Sequence, residues 1–150
     1  MHYRPTTQIR FGPPITPVVK MLVIANVAIF VFSLLVPRFG LNLNHALGLI
    51  PYRVTHSFYI WELVTYMFLH GGPLHIVGNM LFLWGFGDKL ERKLGHIKYL
   101  LFYLVAGVAA ALSQLGVDPH SQAPMVGASG AISGVMGAYL LLYPYNRIKA

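Results

Sequence analysis

The chain has 150 residues, of which 56% are hydrophobic and 10% are charged, and it contains no cysteine. Soluble domains carry roughly 25% charged residues, so the four acidic side chains are too few to solvate a globule of this size. The apolar content excludes a disordered chain, and the lack of cysteine excludes disulfides and thiolate-bound metals. The net charge is +7, but the basic residues lie between apolar stretches and form no basic stripe, so no nucleic-acid partner is expected. The class of protein that remains is a polytopic membrane protein.

Four apolar stretches are candidates for membrane-spanning helices, which need about 20 residues each. They run from about 18 to 36, 74 to 86, 99 to 115 and 128 to 143. The first and third are long and clean, whereas the second and fourth carry polar or small residues and depend on packing against neighbours. The sequence therefore predicts an all-α membrane bundle with four transmembrane helices. Residues 1–17 form a basic cytoplasmic arm, and residues 18–150 form the membrane domain.

The connection between the first two stretches, residues 37–72, is rich in aromatic side chains. Tyr and Trp prefer the boundary between membrane and water, where an apolar ring and a polar tip are both accommodated. Residues 57–69 could form a short amphipathic helix. We expect an interfacial or partly embedded loop structure, and a small subdomain outside the membrane is the alternative.

The distribution of lysine and arginine predicts the orientation. With four spans, nine of the 11 basic residues fall on one side of the membrane, and only Arg38 and Arg53 fall on the other. By the positive-inside rule both termini are then cytoplasmic. We expect a bacterial plasma membrane, because the short basic arm shows no strong transit-peptide character.

A first group of polar residues lies at the start of the second stretch, in HGGPLHIVGN. Ionisable residues inside a span usually mark function. His75 and Asn79 are four residues apart and share a helix face, while His70 precedes a Gly-Gly-Pro segment that would start the helix. The two histidines lack metal-binding helical spacing and an acidic neighbour, so no metal site is predicted. Hydrogen bonding between helices is the open alternative to a functional role.

A second group opens the fourth stretch with GASGAISG, residues 127–134. Gly130 and Gly134 form a GxxxG pattern, a common and non-catalytic packing motif. The segment is not the G-x-S-x-G nucleophile elbow, because Ala131 occupies the second glycine position. Ser129 nevertheless lies at the entry of the span among residues too small to hide its hydroxyl. A packing face and a catalytic serine both stay open.

In this order and on these spans, the two groups resemble the rhomboid family of intramembrane serine proteases. The resemblance extends through WELVTYMFLHGG from Trp61, NMLFLWGFGDKLERKLG from Asn79 and GASGAISGVMGAYLLLYP from Gly127. It covers nearly everything after residue 18. It implies a six-helix core of which these are the first four helices, transmembrane proteins as substrates and the lipid bilayer as surroundings. No cofactor is expected, because nothing in the sequence provides a metal or nucleotide site.

The resemblance also implies residue roles. Ser129 would be the nucleophile, and His75, Asn79 and the backbone N–H of Ser129 would line the oxyanion site. Fixed donors of this kind are worth roughly 3 to 4 kcal/mol each in soluble serine proteases. Gly127 and Gly130 would shape the loop, and His70 would be structural, near the top of the site.

The sequence departs from the family pattern in two places. The family's base is a histidine on the sixth span, and the only histidine close to Ser129 in sequence is His120, which lacks the family's small-residue helical setting. We therefore expect the 150 residues to be the front part of a six-span protein, inactive alone, with the base beyond residue 150. Glu62 follows the tryptophan where many members carry Arg, which puts some loop contacts in doubt.

Two other classes of function remain. A non-catalytic rhomboid-like binding protein would lack the base, but such members tend to lose the serine, and Ser129 is intact. A small transporter or channel would use His75 and Asn79 as a relay, but no Asp or Glu lies within a span to couple protons or cations.

Overall fold

Residues 14–35, 37 and 42–143 are described by the structure, a computed structural model, so most of the predicted arm lies outside the described residues. Within these ranges the chain is all-α, which confirms the predicted fold class, and it contains one isolated antiparallel bridge, between Leu49 and Met125. A 3-10 turn covers Tyr66–Phe68, and a π turn covers Leu83–Gly87. The helices are α1 (Pro17–Leu35), α2 (Leu43–Leu47), α3 (Pro51–Ser57), α4 (Glu62–Thr65), α5 (Pro73–Phe82), α6 (Asp88–Leu94), α7 (His96–Val117) and α8 (Ser129–Leu142).

Two of these helices, α1 and α7, are long and apolar enough to cross a membrane. Only 22% of the apolar window of α1 and 17% of that of α7 are buried, which is low for the core helix of a soluble protein. Helix α8 has 14 residues and is shorter. The helix at the second predicted span is longer than its apolar stretch, because α5 continues through the π turn into α6 and the helical path runs from 73 to 94.

The long connection before α5 holds three short helices and the 3-10 turn instead of one amphipathic helix. Phe58 follows α3 in the left-handed region, with a φ of 58°, which ends this helix. The next helix, α4, begins at Glu62. Tyr66 and Met67 are buried in the same apolar core as residues of α7 and α8. The connection is therefore part of the packed molecule and lies against α7 and α8, the helices before and after the loop that ends at Ser129.

Helix α1 is capped by acidic residues from another part of the chain. Its own first turn contains no acid. The backbone N–H of Thr16 donates to Asp88 Oδ1 at 2.7 Å, and those of Val18 and Val19 donate to the two carboxylate oxygens of Glu91 at 3.0 and 2.8 Å. Helix N-termini leave such donors unpaired and favour negative charge. Helix α6 thus fastens the start of α1 to the bundle.

Helices α7 and α8 pack closely through small residues. A Cβ added at Gly130 would lie 2.5 Å from the Cβ of Ala110, and one added at Gly134 would lie 2.6 Å from the Cβ of Ala106. Real Cβ atoms do not approach so closely, so the glycines set the distance between the two backbones. The GxxxG pattern is a packing face, as the sequence suggested.

Candidate active site

Helix α5 presents the first polar group. Gly72 caps the helix and Pro73 follows at its first turn, where the missing N–H of proline costs nothing. His75 is half-buried, and Asn79 is 8% exposed, one turn further along the same face. The amide nitrogen of Asn79 is buried and has no hydrogen-bond partner among the described residues. Such a donor is available for another group.

The backbone before α8 meets this face at Gly127. This residue has a φ of +126°, which side chains rarely adopt. A Cβ there would lie 2.7 Å from both Cε1 and Nε2 of His75 and 3.6 Å from Nδ2 of Asn79. The loop therefore lies directly against the polar face of α5, and only glycine fits. Gly127, which opens the second sequence group, thus contacts the His75–Asn79 face of the first.

His75 is oriented by the chain before α5. The backbone N–H of Gly71 approaches His75 Nδ1 at 3.4 Å. A neutral imidazole has one donor and one acceptor nitrogen, so this contact favours the tautomer with the proton on Nε2. Nε2 is the nitrogen that faces Gly127. In this tautomer, His75 presents a donor to the loop.

Ser129 is the first residue of α8 and is exposed, whereas the preceding Ala128 is buried. The first intrahelical bond of α8 runs from the N–H of Ile132 to the carbonyl of Ala128. The N–H groups before it point out of the helix end, which favours negative charge. Because Gly130 and Gly134 face α7, the serine side of α8 stays open. The packing and catalytic interpretations of the GASGAISG segment are therefore compatible.

His70 lies in the connection just before α5 and is 2% exposed. Its ring centroid is 5.2 Å from that of His75, in an edge-to-face arrangement. Burial, with a smaller contribution from His75, lowers the pKa of His70 to about 4. His70 is therefore an uncharged ring at neutral pH, packed against the histidine that faces Gly127.

His120 does not join Ser129. Its ring lies 5.4 Å from the ring of His56, at the end of α3. In the part of the chain that the structure describes, no hydrogen bond joins a histidine to the Ser129 hydroxyl, and no three potential metal ligands cluster together.

Sequence reasoning missed the role of Glu62. Its side chain is fully buried, forms an ion pair with Arg53 (Nη2 to Oε1, 2.8 Å), and accepts a hydrogen bond from the N–H of Ile50 at 2.9 Å. The signal was an acid where arginine is common in the family, with an arginine nine residues earlier.

The fold and the residues around Ser129 define an all-α membrane protein with a polar site among its helices. Residues 57–150 match the model of the Rhomboid domain, and the chain belongs to the rhomboid family. This family is embedded in membranes, in keeping with the exposed apolar surfaces of α1 and α7.

Three curated relatives illustrate the similarity. Rhomboid protease GluP of Bacillus subtilis (strain 168) is 40% identical over 87 residues, covering 58% of this chain and 17% of the relative. RHOMBOID-like protein 5 of Arabidopsis thaliana is 34% identical over 94 residues, covering 63% of this chain and 30% of the relative. RHOMBOID-like protein 2 of the same plant is 38% identical over 103 residues, covering 66% and 32%. The chain thus spans less than a third of the length of each.

Proposed function

We propose that the protein is an intramembrane serine endopeptidase that cleaves transmembrane proteins. Ser129 is the nucleophile, and His75, Asn79 and the backbone N–H of Ser129 hold the oxyanion. The observation that carries this proposal is the contact between Gly127 and the His75–Asn79 face, two residues before an exposed serine at a helix start. Similarity to a relative named as a rhomboid protease supports it.

The arrangement suits acyl transfer. Attack on a peptide carbonyl develops negative charge on its oxygen, and fixed donors in a site of low dielectric stabilise that charge more than water does. Nε2 of His75 and the amide nitrogen of Asn79 both face Gly127 in the loop. The N-terminus of α8 adds the positive end of a helix dipole. These groups also give a reason for polar side chains within an apolar helix.

A serine hydroxyl is a weak nucleophile until a base removes its proton. We assign this role to a histidine beyond residue 150, as the family resemblance implies, acting with Ser129 as a dyad. His120 is not favoured, because its ring lies beside His56. In this proposal the membrane is a bacterial plasma membrane and the N-terminus is cytoplasmic, on the side where the basic residues gather.

Ser129→Ala in the full natural chain tests the proposal. Cleavage of a single-span substrate in reconstituted vesicles is expected to fall by about a thousandfold or more, because the nucleophile is gone. Labelling by a serine-reactive phosphonate probe should disappear with it. The matched control is Ser133→Ala, one turn further along the same exposed side, whose hydroxyl bonds the Ser129 carbonyl at 2.8 Å.

Ser133→Ala is expected to retain cleavage and labelling. Unchanged cleavage by Ser129→Ala would contradict the proposal. A wild-type chain that binds the substrate without cutting it would instead identify a non-catalytic rhomboid-like binding protein.

A further inference from the structure

The residues that lead to Ser129 have no regular structure of their own, and we call residues 119–128 the serine loop. The N–H of Leu49 donates to the carbonyl of Met125 at 2.9 Å, and the N–H of Met125 returns a bond to Leu49 at 2.8 Å. The N–H of Tyr52 donates to Ser121 at 3.0 Å. The segment from Leu49 to Tyr52 therefore acts as a template along one edge of the serine loop.

Two further bonds complete the attachment. The hydroxyl of Thr55 on α3 donates to the carbonyl of Pro119 at 3.1 Å, and the N–H of Gly127 donates to the carbonyl of Tyr66 at 2.9 Å. Each end of the serine loop is thus fixed by the connection before α5. The position of Gly127 against His75 depends on where that connection lies.

The Arg53–Glu62 ion pair holds the connection together at this point. Glu62, at the start of α4, binds both Arg53 and the N–H of Ile50, the residue between the two donors of the template. Arg53 Nη2 also donates to the carbonyl of His45 at 2.5 Å, and its guanidinium lies 5.3 Å from the centre of the Tyr59 ring. One ion pair, with a fully buried carboxylate and an arginine side chain that is 22% exposed, therefore links α2, the template and α4.

We infer that Arg53 and Glu62 are positioning residues, which hold the template against the serine loop so that Gly127 stays in contact with His75. The part of the inference that concerns catalysis rests on the proposed function, whereas the part that concerns the loop does not. Because Glu62 is fully buried, removing Arg53 would leave its charge uncompensated in the interior. Displacement of a reacting group by about 1 Å can cost two orders of magnitude in rate.

The first test measures amide hydrogen exchange in the full natural chain. Arg53→Gln is expected to speed exchange at Met125 and Gly127 by about tenfold, because local opening of the loop becomes easier. Exchange in the middle of α7, at Tyr103, should not change. Arg53→Lys, which keeps the charge but loses the fork of the guanidinium, is expected to give a smaller increase and covers the case in which Arg53→Gln does not fold.

The matched control is Arg92→Gln. It removes the other arginine–carboxylate pair that the described residues contain, with Asp88 at 3.1 Å, at the end of the bundle where α1 begins. This variant should leave exchange at Met125 and Gly127 unchanged. It therefore separates a specific effect on the loop from the loss of an ion pair in general.

The second readout is catalytic. Arg53→Gln should lower kcat by about tenfold, with a change in KM of less than about twofold, because a displaced loop disturbs the contact of Gly127 with the oxyanion donors rather than the whole substrate surface. Unchanged exchange at Met125 and Gly127, or an equal increase at Tyr103, would overturn the inference. If the wild-type protein does not cleave substrates at all, the proposed function fails, and the exchange data still decide whether Arg53 positions the loop.

Discussion

Gly127 combines two constraints that no other residue type meets. Its φ of +126° lies in a region that strains any residue with a side chain, and the space where a Cβ would lie is filled by the His75 ring. The first constraint belongs to the loop backbone, whereas the second belongs to the contact between the loop and α5. A substitution here therefore reports on the site without removing any of the proposed chemical groups.

We expect Gly127→Ala to lower the rate of cleavage by about 100-fold, because the methyl group displaces either the loop or His75. The control is Gly137→Ala on α8, where a Cβ meets nothing within 4 Å. In a helix this change should stabilise by up to about 1 kcal/mol. Cleavage assays on both variants, with their unfolding midpoints in detergent, check the prediction, and an active Gly127→Ala would argue against an oxyanion role for this contact.

Part of the site follows from the sequence at the residue scale. The spacing of His75 and Asn79 places them on one helix face, and the small residues around Ser129 leave it open. The contact of Gly127 with His75 could not be derived from spacing, because it joins residues 52 positions apart through tertiary packing. Glu62 was noticed as unusual, but its burial and its bond to Ile50 depend on how the connection folds.

At the scale of elements, α7 and α8 are matched by small residues facing each other. Gly134 lies over Ala106 and Gly130 over Ala110, one turn apart on both helices. Helices in lipid gain little from burying apolar surface, so close backbone approach is their main source of association. The distance between α7 and α8 also sets where α8 begins, and thus where Ser129 lies.

Gly134→Ala is expected to lower the unfolding midpoint, because its new methyl group would overlap that of Ala106. Ala106→Gly removes the opposing methyl group and should recover much of the loss in the double variant, with a coupling energy of about 1 kcal/mol. Thermal unfolding of the four proteins of this cycle in detergent provides the measurement. Simple additivity of the two changes would show that the two residues do not determine the helix distance.

The extent of the helix that runs from α5 through the π turn to α6 was only partly predictable. The apolar stretch ends near residue 86, so its composition predicts an end there. Asp88 and Arg92 are spaced four apart and pair at 3.1 Å, and Gly95 follows with a φ of +83°, both of which are typical of a helix that continues to residue 94. Hydropathy marks the apolar part of a helix and not its full length, so the apolar stretch ends near residue 86 while the helix continues to residue 94.

At the scale of the whole molecule, the start of α1 is attached to α6 through residues more than 70 positions away in sequence. Glu91 is fully buried at this attachment and also contacts His96 Nδ1. Burial alone would raise the pKa of Glu91, but the hydrogen bonds from the start of α1 and from His96 outweigh it and lower the pKa below its ordinary value. The ionised carboxylate is therefore the form that the folded protein favours.

This shift predicts a loss of stability in acid. A carboxylate with a lowered pKa in the folded state contributes its full stabilisation above the ordinary pKa of glutamate, and loses it as the pH falls through the lowered value. The unfolding midpoint should therefore drop as the pH is taken below about 4. Glu91→Gln should be less stable at neutral pH and should lose less on acidification, so parallel pH profiles for the two proteins would contradict the assignment.

The π turn at Leu83–Gly87 has a consequence for the side-chain directions along the helical path from α5 to α6. A π turn holds one residue more than the corresponding α turn, and each residue of an α-helix advances the side-chain direction by about 100°. Deleting one residue from this turn would keep the helix continuous but rotate Glu91 away from the start of α1, while His75 stays under Gly127. The extra residue rotates the side-chain directions of α6 relative to those of α5. One end of the helix can therefore face the serine loop while the other end faces α1.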